Sequence, residues 1–276
     1  MLMWGLSWPS GKILANYSSS PTNFIVYRYI VVLTTLYLLL LFLRVPMKIK
    51  RQGIPLVIVS GLLLALYSWF FFMGLKTGFA GAGGVLVTTL NPIMAYSIGL
   101  VMSKKRPSGN ETIGLMLGVI AGCVLLKIWN NTDALMATGN LYFLAAAFLW
   151  AAMSKFTSKA ANYGSSMGFS LWQYIITFCC FLPFLDVAEM KATALTADAP
   201  FWINLFFSAA IVTALATTLY FYATTKLGAE KASSFIFIVP FAAALSSWLM
   251  LGETILIHTI IGGILGIAAV YIINKK

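Results

Sequence analysis

The chain has 276 residues, of which 61% are hydrophobic and 9% are charged, and its mean hydropathy is +0.92. A soluble domain is roughly 45–50% apolar and about 25% charged, so this composition excludes an ordinary water-soluble enzyme and indicates a membrane domain in contact with a lipid bilayer. The net charge of +11 comes from short basic clusters between apolar runs, which is typical of membrane-protein loops and not of nucleic-acid binding. The three cysteines lie inside apolar runs and indicate neither a disulfide framework nor a metal site, and no cofactor is expected.

Apolar runs of roughly 18 or more residues recur along the whole chain, and each predicts a helix that crosses the hydrocarbon core. No polar stretch between them is long enough for a separate soluble domain. The predicted helices lie near residues 1–16, 22–44, 54–76, 79–103, 111–128, 139–161, 167–186, 200–226, 229–251 and 254–274. The connections are short, and the longest, near 187–199, is expected to be a loop.

The first predicted helix is shorter than the others. Residues 1–16 rise about 24 Å at 1.5 Å per residue, somewhat less than the roughly 30 Å hydrocarbon core. Either the helix begins upstream of residue 1, or it is locally mismatched to the bilayer. No cleavable signal peptide is expected, because a positively charged segment does not precede the apolar run.

The basic residues predict the orientation of these helices. If the N-terminus is cytoplasmic, thirteen lysines and arginines fall in inner segments and three fall in outer segments. The outer residues are Lys76, Lys127 and Lys191. The inner residues are Arg44, Lys48, Lys50, Arg51, Lys104, Lys105, Arg106, Lys155, Lys159, Lys226, Lys231, Lys275 and Lys276. This excess predicts a plasma-membrane protein, in a bacterium an inner-membrane protein, with both termini in the cytoplasm.

An internal repeat relates the two halves of the chain. Sliding the sequence by 146 residues aligns two hexapeptides with five identities, and a slide of 148 residues aligns the ends of the two halves. The pairs brought together include Trp4 with Trp150, residues 15–20 with 161–166, Pro92 with Pro240, and Gly114 with Gly262.

Each half, residues 1–128 and residues 139–274, holds five predicted spans. Because five is odd, the second half enters the membrane with opposite polarity. We therefore predict an all-α membrane protein in which ten transmembrane helices form two inverted five-helix repeats. Such repeats are the usual basis of alternating-access transport, with the substrate site near the bilayer midplane. The alternative is a duplication that only builds a stable bundle.

The order and spacing of several short motifs resemble the ten-helix, EamA-type branch of the drug/metabolite transporter superfamily. The resemblance covers nearly the whole chain. The motifs are Met3-Trp4-Gly5 followed by Lys12, Tyr27-Arg28-Tyr29, Leu90-Asn91-Pro92, residues 113–119, Leu149-Trp150-Ala151, Val239-Pro240, Leu251-Gly252-Glu253 and residues 261–266. One departure is Ser103-Lys104-Lys105, the first-half counterpart of Leu251-Gly252-Glu253, where many relatives repeat the acidic motif.

The resemblance implies a central cavity formed by predicted helices 1–4 and 6–9, with helices 5 and 10 at the periphery. It also implies export or exchange of amino acids or similar small metabolites. Family resemblance does not identify the substrate.

Aromatic and polar side chains inside the predicted spans are the candidate cavity lining. Trp4 and Trp8 are four residues apart and share one helix face, in a segment too polar for contact with lipid. Trp150 is the repeat-related counterpart of Trp4. Anchoring of these tryptophans at the membrane interface is the alternative. Further candidates are Tyr67, Gln173, Tyr174, Thr218 and Tyr222.

Two basic residues, Lys12 and Arg28, lie within predicted spans. An ionisable group inside the membrane indicates a functional site, and two cations that face a cavity are suited to hold a substrate carboxylate. The alternatives are snorkelling to the outer interface, and stabilisation of the carbonyl end of helix 1 by Lys12.

Pro92 and Pro240 lie well inside spans at repeat-related positions. Each removes a backbone donor and predicts a kink, with either a gating and cavity-lining role or a static one. Asn91, next to Pro92, adds an amide that needs partners in a low-dielectric setting and is a cavity candidate.

Small residues repeat every four positions on helices 5 and 10, a spacing that permits close helix packing in lipid. These residues are Gly114, Gly118, Gly122, Gly262 and Gly266. They are expected either to join the two helices within one molecule or to lie at a homodimer contact.

All seven acidic residues map to helix ends or loops, so no carboxylate is placed for proton exchange at the membrane centre. Relatives in the small multidrug resistance family use a glutamate in helix 1, where this chain has Trp4-Gly5-Leu6-Ser7. The sequence therefore favours a secondary transporter of an amphiphilic or zwitterionic small-molecule metabolite. A multidrug or cation exporter, a channel and an intramembrane enzyme are the alternatives, in decreasing order of support.

Overall fold

The computed structural model describes residues 1–17, 20–78, 80–103, 106–130, 139–242 and 257–275. In chain order the helices are α1 (Leu2–Ala15), α2 (Pro21–Phe42), α3 (Ile54–Thr77), α4 (Ala80–Ser103), α5 (Gly109–Leu126), α6 (Gly139–Thr157), α7 (Ser166–Phe181), α8 (Val187–Thr196), α9 (Ala199–Leu227), α10 (Ala229–Ser234) and α11 (Ile257–Asn274). Within these described ranges there is no β-strand, and an isolated bridge pairs Ile49 with Gly164. The described chain is all-helical.

Six helices are long and apolar enough to cross a bilayer by length and composition: α2, α3, α4, α6, α7 and α9. Helices α5 and α11 contain shorter apolar stretches, at Gly109–Leu125 and Ile260–Asn274. Large apolar side chains also point outward from the bundle, and Phe42 and Val101 are 84% and 80% exposed. Such a surface is stable in contact with lipid, so the molecule is an integral membrane protein.

Local sequence signals explain where several helices begin. Ser20 accepts a hydrogen bond from the Thr22 backbone N–H, and Pro21 occupies the first position of α2. At α5, the Ser108 side chain accepts from the Glu111 backbone while the Glu111 carboxylate accepts from the Ser108 backbone at 2.7 Å. This reciprocal capping box satisfies two donors that the helix leaves unpaired.

The connection near residues 187–199 is a helix and not the predicted loop. Asp186 caps α8, because its carboxylate accepts hydrogen bonds from the backbone N–H groups of Ala188 and Glu189 at 2.9 and 3.0 Å. A run of good helix formers follows the cap. None of the residues of α8 is buried, so the helix lies on the surface of the bundle.

Two predicted helices have an irregular backbone. Residues Phe207–Thr217 of α9 are wound as a π-helix, and α10 continues as a 3₁₀ turn at Phe235–Ile238 before residues 239–242 resume the α-helix. Residues 243–256, which include the Leu251-Gly252-Glu253 motif, lie outside the described residues, as do Lys104 and Lys105.

The main core joins helices from both halves of the chain. Helix α3 packs on α6 and α7, α2 packs on α7 and α9, and α1 packs on α9. Large side chains such as Tyr29, Phe143 and Phe221 are fully buried there. Helices α5 and α11 pack on each other and form a smaller cluster with Tyr96 and Phe237.

The repeated glycines meet close neighbours within the molecule. A Cβ atom built on Gly266 would lie 2.8 Å from the Phe237 carbonyl oxygen, and one on Gly114 would lie 2.9 Å from the Ala269 carbonyl oxygen. Equivalent atoms on Gly118, Gly122 and Gly262 would meet Phe237, Thr89 and Leu125. These positions therefore set the close approach of α5 and α11 to each other and to their neighbours.

Candidate functional site

A cavity with about 800 Å³ of unfilled space, open solvent at its mouth included, lies among the helices. Its lining residues come from α1, α2, α3, α4, α6, α9 and the segment after α10, and therefore from both halves of the chain. Six of the predicted cavity residues line this space: Trp4, Trp8, Arg28, Tyr67, Asn91 and Trp150.

An aromatic cluster forms one wall of the cavity. The ring centroids of Trp4 and Trp150, the repeat-related pair, are 5.1 Å apart in an edge-to-face arrangement. Tyr67 lies 4.8 Å from Trp150, and Tyr220 lies 4.9 Å from Trp4. Rings at these distances attract each other and offer apolar faces to a ligand.

Arg28 is the charged residue in the described cavity lining. Its Nη2 donates a hydrogen bond to the Thr213 hydroxyl at 2.5 Å, and its Cζ lies 5.3 Å from the centre of the Phe72 ring. The Arg28 Nε is buried and has no hydrogen-bond partner. The guanidinium group thus contacts neutral groups on two sides, and its buried Nε–H donor has no partner.

The π-helical segment of α9 brings hydroxyl groups to the cavity. The Thr213 and Thr217 hydroxyls donate to the carbonyl oxygens of Ser208 and Val212, five residues earlier, at 2.9 and 3.0 Å. Ser208, Val212, Thr213 and Thr217 all line the cavity. Mid-helix π segments are rare and frequently lie at functional sites. The sequence prediction missed these residues, and the available signal was a spaced set of hydroxyl groups inside an apolar span.

Asn91 links the two halves and keeps an unpaired acceptor. Its Nδ2 donates to the Ala147 carbonyl oxygen of α6 at 3.2 Å, whereas its buried Oδ1 has no hydrogen-bond partner. The neighbouring Pro92 is buried inside α4. Pro240 is also buried and directly follows the 3₁₀ turn with Val239. Because proline lacks an N–H, the carbonyl of Ile236 has no α-helical donor and accepts instead from the Val239 backbone N–H.

Five predicted cavity residues do not line the cavity. The Lys12 Nζ donates to the carbonyl oxygens of Leu75 and Gly78 at 2.6 and 3.1 Å. Lys12 therefore stabilises the carbonyl end of α3, not that of its own helix. Gln173 is fully buried, and its Nε2 donates to the Ser60 carbonyl oxygen at 3.3 Å.

The other three lie behind or outside the cavity wall. The Tyr174 hydroxyl contacts the Thr213 carbonyl oxygen and the Thr218 hydroxyl, each at 3.2 Å, so both residues support the π segment from behind. Tyr222 is 41% exposed on the outer face of α9. There its ring faces the Lys226 ammonium group at 5.6 Å.

Polar contacts join helices at both ends of the bundle. At one end, Lys155 Nζ and Glu230 Oε1 form an ion pair at 2.5 Å, with side chains 12% and 8% exposed. At the other end, Asn23 Nδ2 donates to Glu189 at 2.6 Å. The acids of the described residues thus lie at helix ends, as predicted.

A second contact at the α8 end joins the Tyr17 hydroxyl to the Asp198 carboxylate at 2.6 Å. This hydrogen bond, together with one from the Phe201 backbone N–H, lowers the pKa of Asp198 below its ordinary value. The carboxylate therefore stays ionised to a lower pH than an aspartate without these hydrogen bonds. In the part of the chain that the structure describes, no group of three or more His, Cys, Asp and Glu side chains is placed to hold a metal ion.

Comparisons with known proteins show a family model that matches the chain and several similar transporters. A model of the EamA-like transporter family matches residues 1–127 and again residues 137–275. The chain is 26% identical to the uncharacterized transporter YdfC of Bacillus subtilis, covering 85% of this chain and 75% of that protein. It is 25% identical to YvbV of the same organism, covering 100% and 89%.

Two further similarities are informative. The chain is 23% identical to a probable amino-acid metabolite efflux pump of Salmonella typhimurium, covering 81% of this chain and 78% of that protein. A crystal structure superposes with a TM-score of 0.75 over 99% of this chain and 94% of the other, at 17% identity. This last likeness shows the fold alone.

Proposed function

Because the chain belongs to the EamA-like transporter family, we propose that it is a secondary transporter that exports or exchanges small metabolites by alternating access. The observation that carries this proposal is the cavity itself, which draws its lining from both halves of the chain. Within it, the repeat-related Trp4 and Trp150 meet edge to face at 5.1 Å. A site enclosed between two repeats is what rocking of one repeat against the other exposes to alternate sides.

The helix packing supports two inverted repeats, residues 1–128 and 139–274. If the two halves are related by symmetry, α1, α2 and α3 correspond to α6, α7 and α9. Each contact between two helices then has a counterpart in which both helices are replaced by their equivalents from the other half. The pair α3 with α6 then corresponds to α9 with α1, and α3 with α7 corresponds to α9 with α2; all four contacts occur. The double match of the family model supports the same division. We propose ten transmembrane helices, with α8 as an additional surface helix.

The substrate proposed is an amino acid or a similar amphiphilic solute. The aromatic wall supplies an apolar surface, while Arg28, Asn91 and the π-segment hydroxyls supply polar groups. The relative from Salmonella typhimurium, a probable amino-acid metabolite efflux pump, favours the same class.

The test is counterflow in proteoliposomes preloaded with candidate amino acids. Trp4→Ala and Trp150→Ala remove rings that line the cavity, and we expect each to reduce the counterflow rate about tenfold, through the loss of ring contacts of about 1.4 kcal/mol. Trp129→Ala is the matched control, because Trp129 is 61% exposed and lies outside the cavity.

The outcomes separate the alternatives. A carrier saturates and shows counterflow, whereas a channel shows neither property. Chemical conversion of the solute by the purified protein would indicate an intramembrane enzyme. If Trp4→Ala and Trp150→Ala both show the same counterflow rate as the parent and the Trp129→Ala control, this cavity is not the transport site.

A further inference from the structure

The charge of the cavity lining is unbalanced. Among the described residues that line it, Arg28 carries a positive charge and no residue is acidic. The guanidinium donates to the neutral Thr213 hydroxyl at 2.5 Å, and its Cζ lies 5.3 Å from the centre of the neutral Phe72 ring. A cation removed from water is destabilised unless a counter-charge and hydrogen bonds compensate for the lost hydration.

The unpaired N–H donor of Arg28 indicates which chemical group of a ligand would bind to it. The Arg28 Nε is buried without a hydrogen-bond partner. A guanidinium presents its N–H donors in a planar fork that pairs with the two oxygens of a carboxylate through parallel hydrogen bonds. A carboxylate at this position satisfies the free donor and neutralises the buried charge at the same time.

The aromatic walls of the cavity indicate the chemistry of the rest of the substrate molecule. Trp4, Trp8, Tyr67, Phe71 and Trp150 place aromatic rings around the same space. We propose that the substrates are amphiphilic carboxylates: the carboxylate binds Arg28 beside Thr213, and an apolar or aromatic body packs on the rings. This inference rests on the proposed transport function and narrows it to solutes that carry a carboxylate, since an amine without one leaves the Arg28 charge unpaired.

Four probes of nearly the same size test the proposal: 3-phenylpropionate, its neutral amide 3-phenylpropionamide, phenethylamine and phenylalanine. Binding is measured by calorimetry on the detergent-purified protein, and transport by counterflow in proteoliposomes. We expect the two carboxylates to bind and to exchange, and the amide and the amine to bind at least about 30-fold more weakly, because they leave the buried charge unpaired.

Arg28→Gln is expected to abolish the preference for carboxylates, and Arg28→Lys is expected to retain the preference with lower affinity, because lysine keeps the charge without the planar fork. Lys191→Gln is the control, since it removes one positive charge from exposed α8. The four-probe comparison on the unmodified protein needs no variant, so the proposal stays testable if Arg28→Gln fails to fold.

Different experimental results would overturn the carboxylate site and the transport function. Equal binding of the amide or the amine, or no binding of either carboxylate at millimolar concentration, overturns the inference. A carboxylate preference that survives in folded Arg28→Gln also overturns it. Charge-selective binding without any counterflow would support the anion site and overturn transport, whereas counterflow of the amine alone would support transport and overturn the anion site.

Discussion

Lys12 and Arg28 are both basic residues inside helices of the first half, yet they contact different kinds of group. The Lys12 ammonium group lies against two carbonyl oxygens at the end of α3, where a helix carries partial negative charge and unpaired acceptors. Arg28 faces the cavity and contacts a hydroxyl and an aromatic ring. Sequence position alone does not separate these two roles, because both residues are embedded cations.

This difference gives a prediction for Lys12→Met. Removing the ammonium group leaves the Leu75 and Gly78 carbonyls without a charged donor, so we expect the free energy of unfolding to fall by about 1–3 kcal/mol. The measurement is thermal unfolding of the purified protein in detergent. Lys191→Met, on the exposed surface of α8, is the control and should unfold like the parent. A parent-like Lys12→Met protein would contradict the role assigned to these hydrogen bonds.

The residues of the candidate site were predictable where the chemistry is conspicuous. An embedded charge, an Asn-Pro pair, and tryptophans at helical and repeat-related spacings identified five of the six predicted lining residues. Hydroxyl residues such as Ser68 and Thr213 were missed, because serine and threonine are common in spans where they bond to their own backbone. Tyr222 was chosen in place of Tyr220, although two residues turn a helix by about 200° and place the rings on opposite faces. The structure puts Tyr220 against Trp4 and leaves Tyr222 exposed.

At the scale of elements, helix packing in this molecule depends on positions where no side chain fits. The backbone of Gly266 approaches the Phe235–Ile238 turn, and a Cβ there would lie 2.8 Å from the Phe237 carbonyl oxygen. Backbone atoms cannot move away as a flexible side chain can, so the helix itself must shift. Gly109, in the first turn of α5, has no neighbour within 4 Å of an added Cβ.

We therefore expect opposite effects from the same chemical change at these two glycines. Gly266→Ala should destabilise the protein by about 1–3 kcal/mol through overpacking. Gly109→Ala should be neutral or stabilising by up to about 1 kcal/mol, because alanine loses less backbone entropy in a helix. Thermal unfolding of both variants is the measurement. A similar gain in stability at both positions would show that helix propensity, and not packing, determines the outcome, and a similar loss at both would contradict the open space found at Gly109.

The bounds of the described apolar helices were predictable to within a few residues, because apolar run length reports the lipid-spanning segment directly. Two local features were not predicted. The segment Phe207–Thr217 has the composition of an ordinary span, and nothing in its apolar pattern marks the change to π-helical hydrogen bonding. Helix α8 did carry a signal, since Asp186 and Glu189 have the spacing of a helix start, but the search for long apolar runs does not detect a polar surface helix.

For the whole molecule, the orientation in the membrane follows from the basic residues and is directly testable. We expect both termini in the cytoplasm, with Lys48 on the same side and Lys191 on the outer side. Single cysteines at these positions, in a background without Cys123, Cys179 and Cys180, should react oppositely with a membrane-impermeant maleimide. In intact cells, Lys191→Cys should be labelled and Lys48→Cys should be protected. The reverse pattern would invert the proposed topology.

Different polar contacts join helices at the two ends of the bundle, and a transporter that opens at one end must break the contacts there. The Lys155–Glu230 pair lies where α6, α10 and α4 meet, and Glu230 also lies directly against Gly99 of α4. In the proposed orientation this end faces the cytoplasm. The hydrogen bond between Asn23 and Glu189 lies at the opposite end. Alternating access requires that neither set persists through the whole transport cycle.

Glu230→Gln should therefore shift the population toward a cytoplasm-open state. Breaking a buried ion pair costs about 3–5 kcal/mol. If the pair forms in the closed state and not in the open state, each 1.4 kcal/mol of lost stabilisation raises the ratio of open to closed molecules about tenfold. With a reporter cysteine at cavity residue Ser7, we expect at least about tenfold faster maleimide labelling from the cytoplasmic face and slower labelling from outside. Glu189→Ala, which removes the acceptor for Asn23, should shift labelling in the opposite direction. Acceleration from the same face by both variants would show general loosening of the bundle and would contradict separate closing contacts at the two ends.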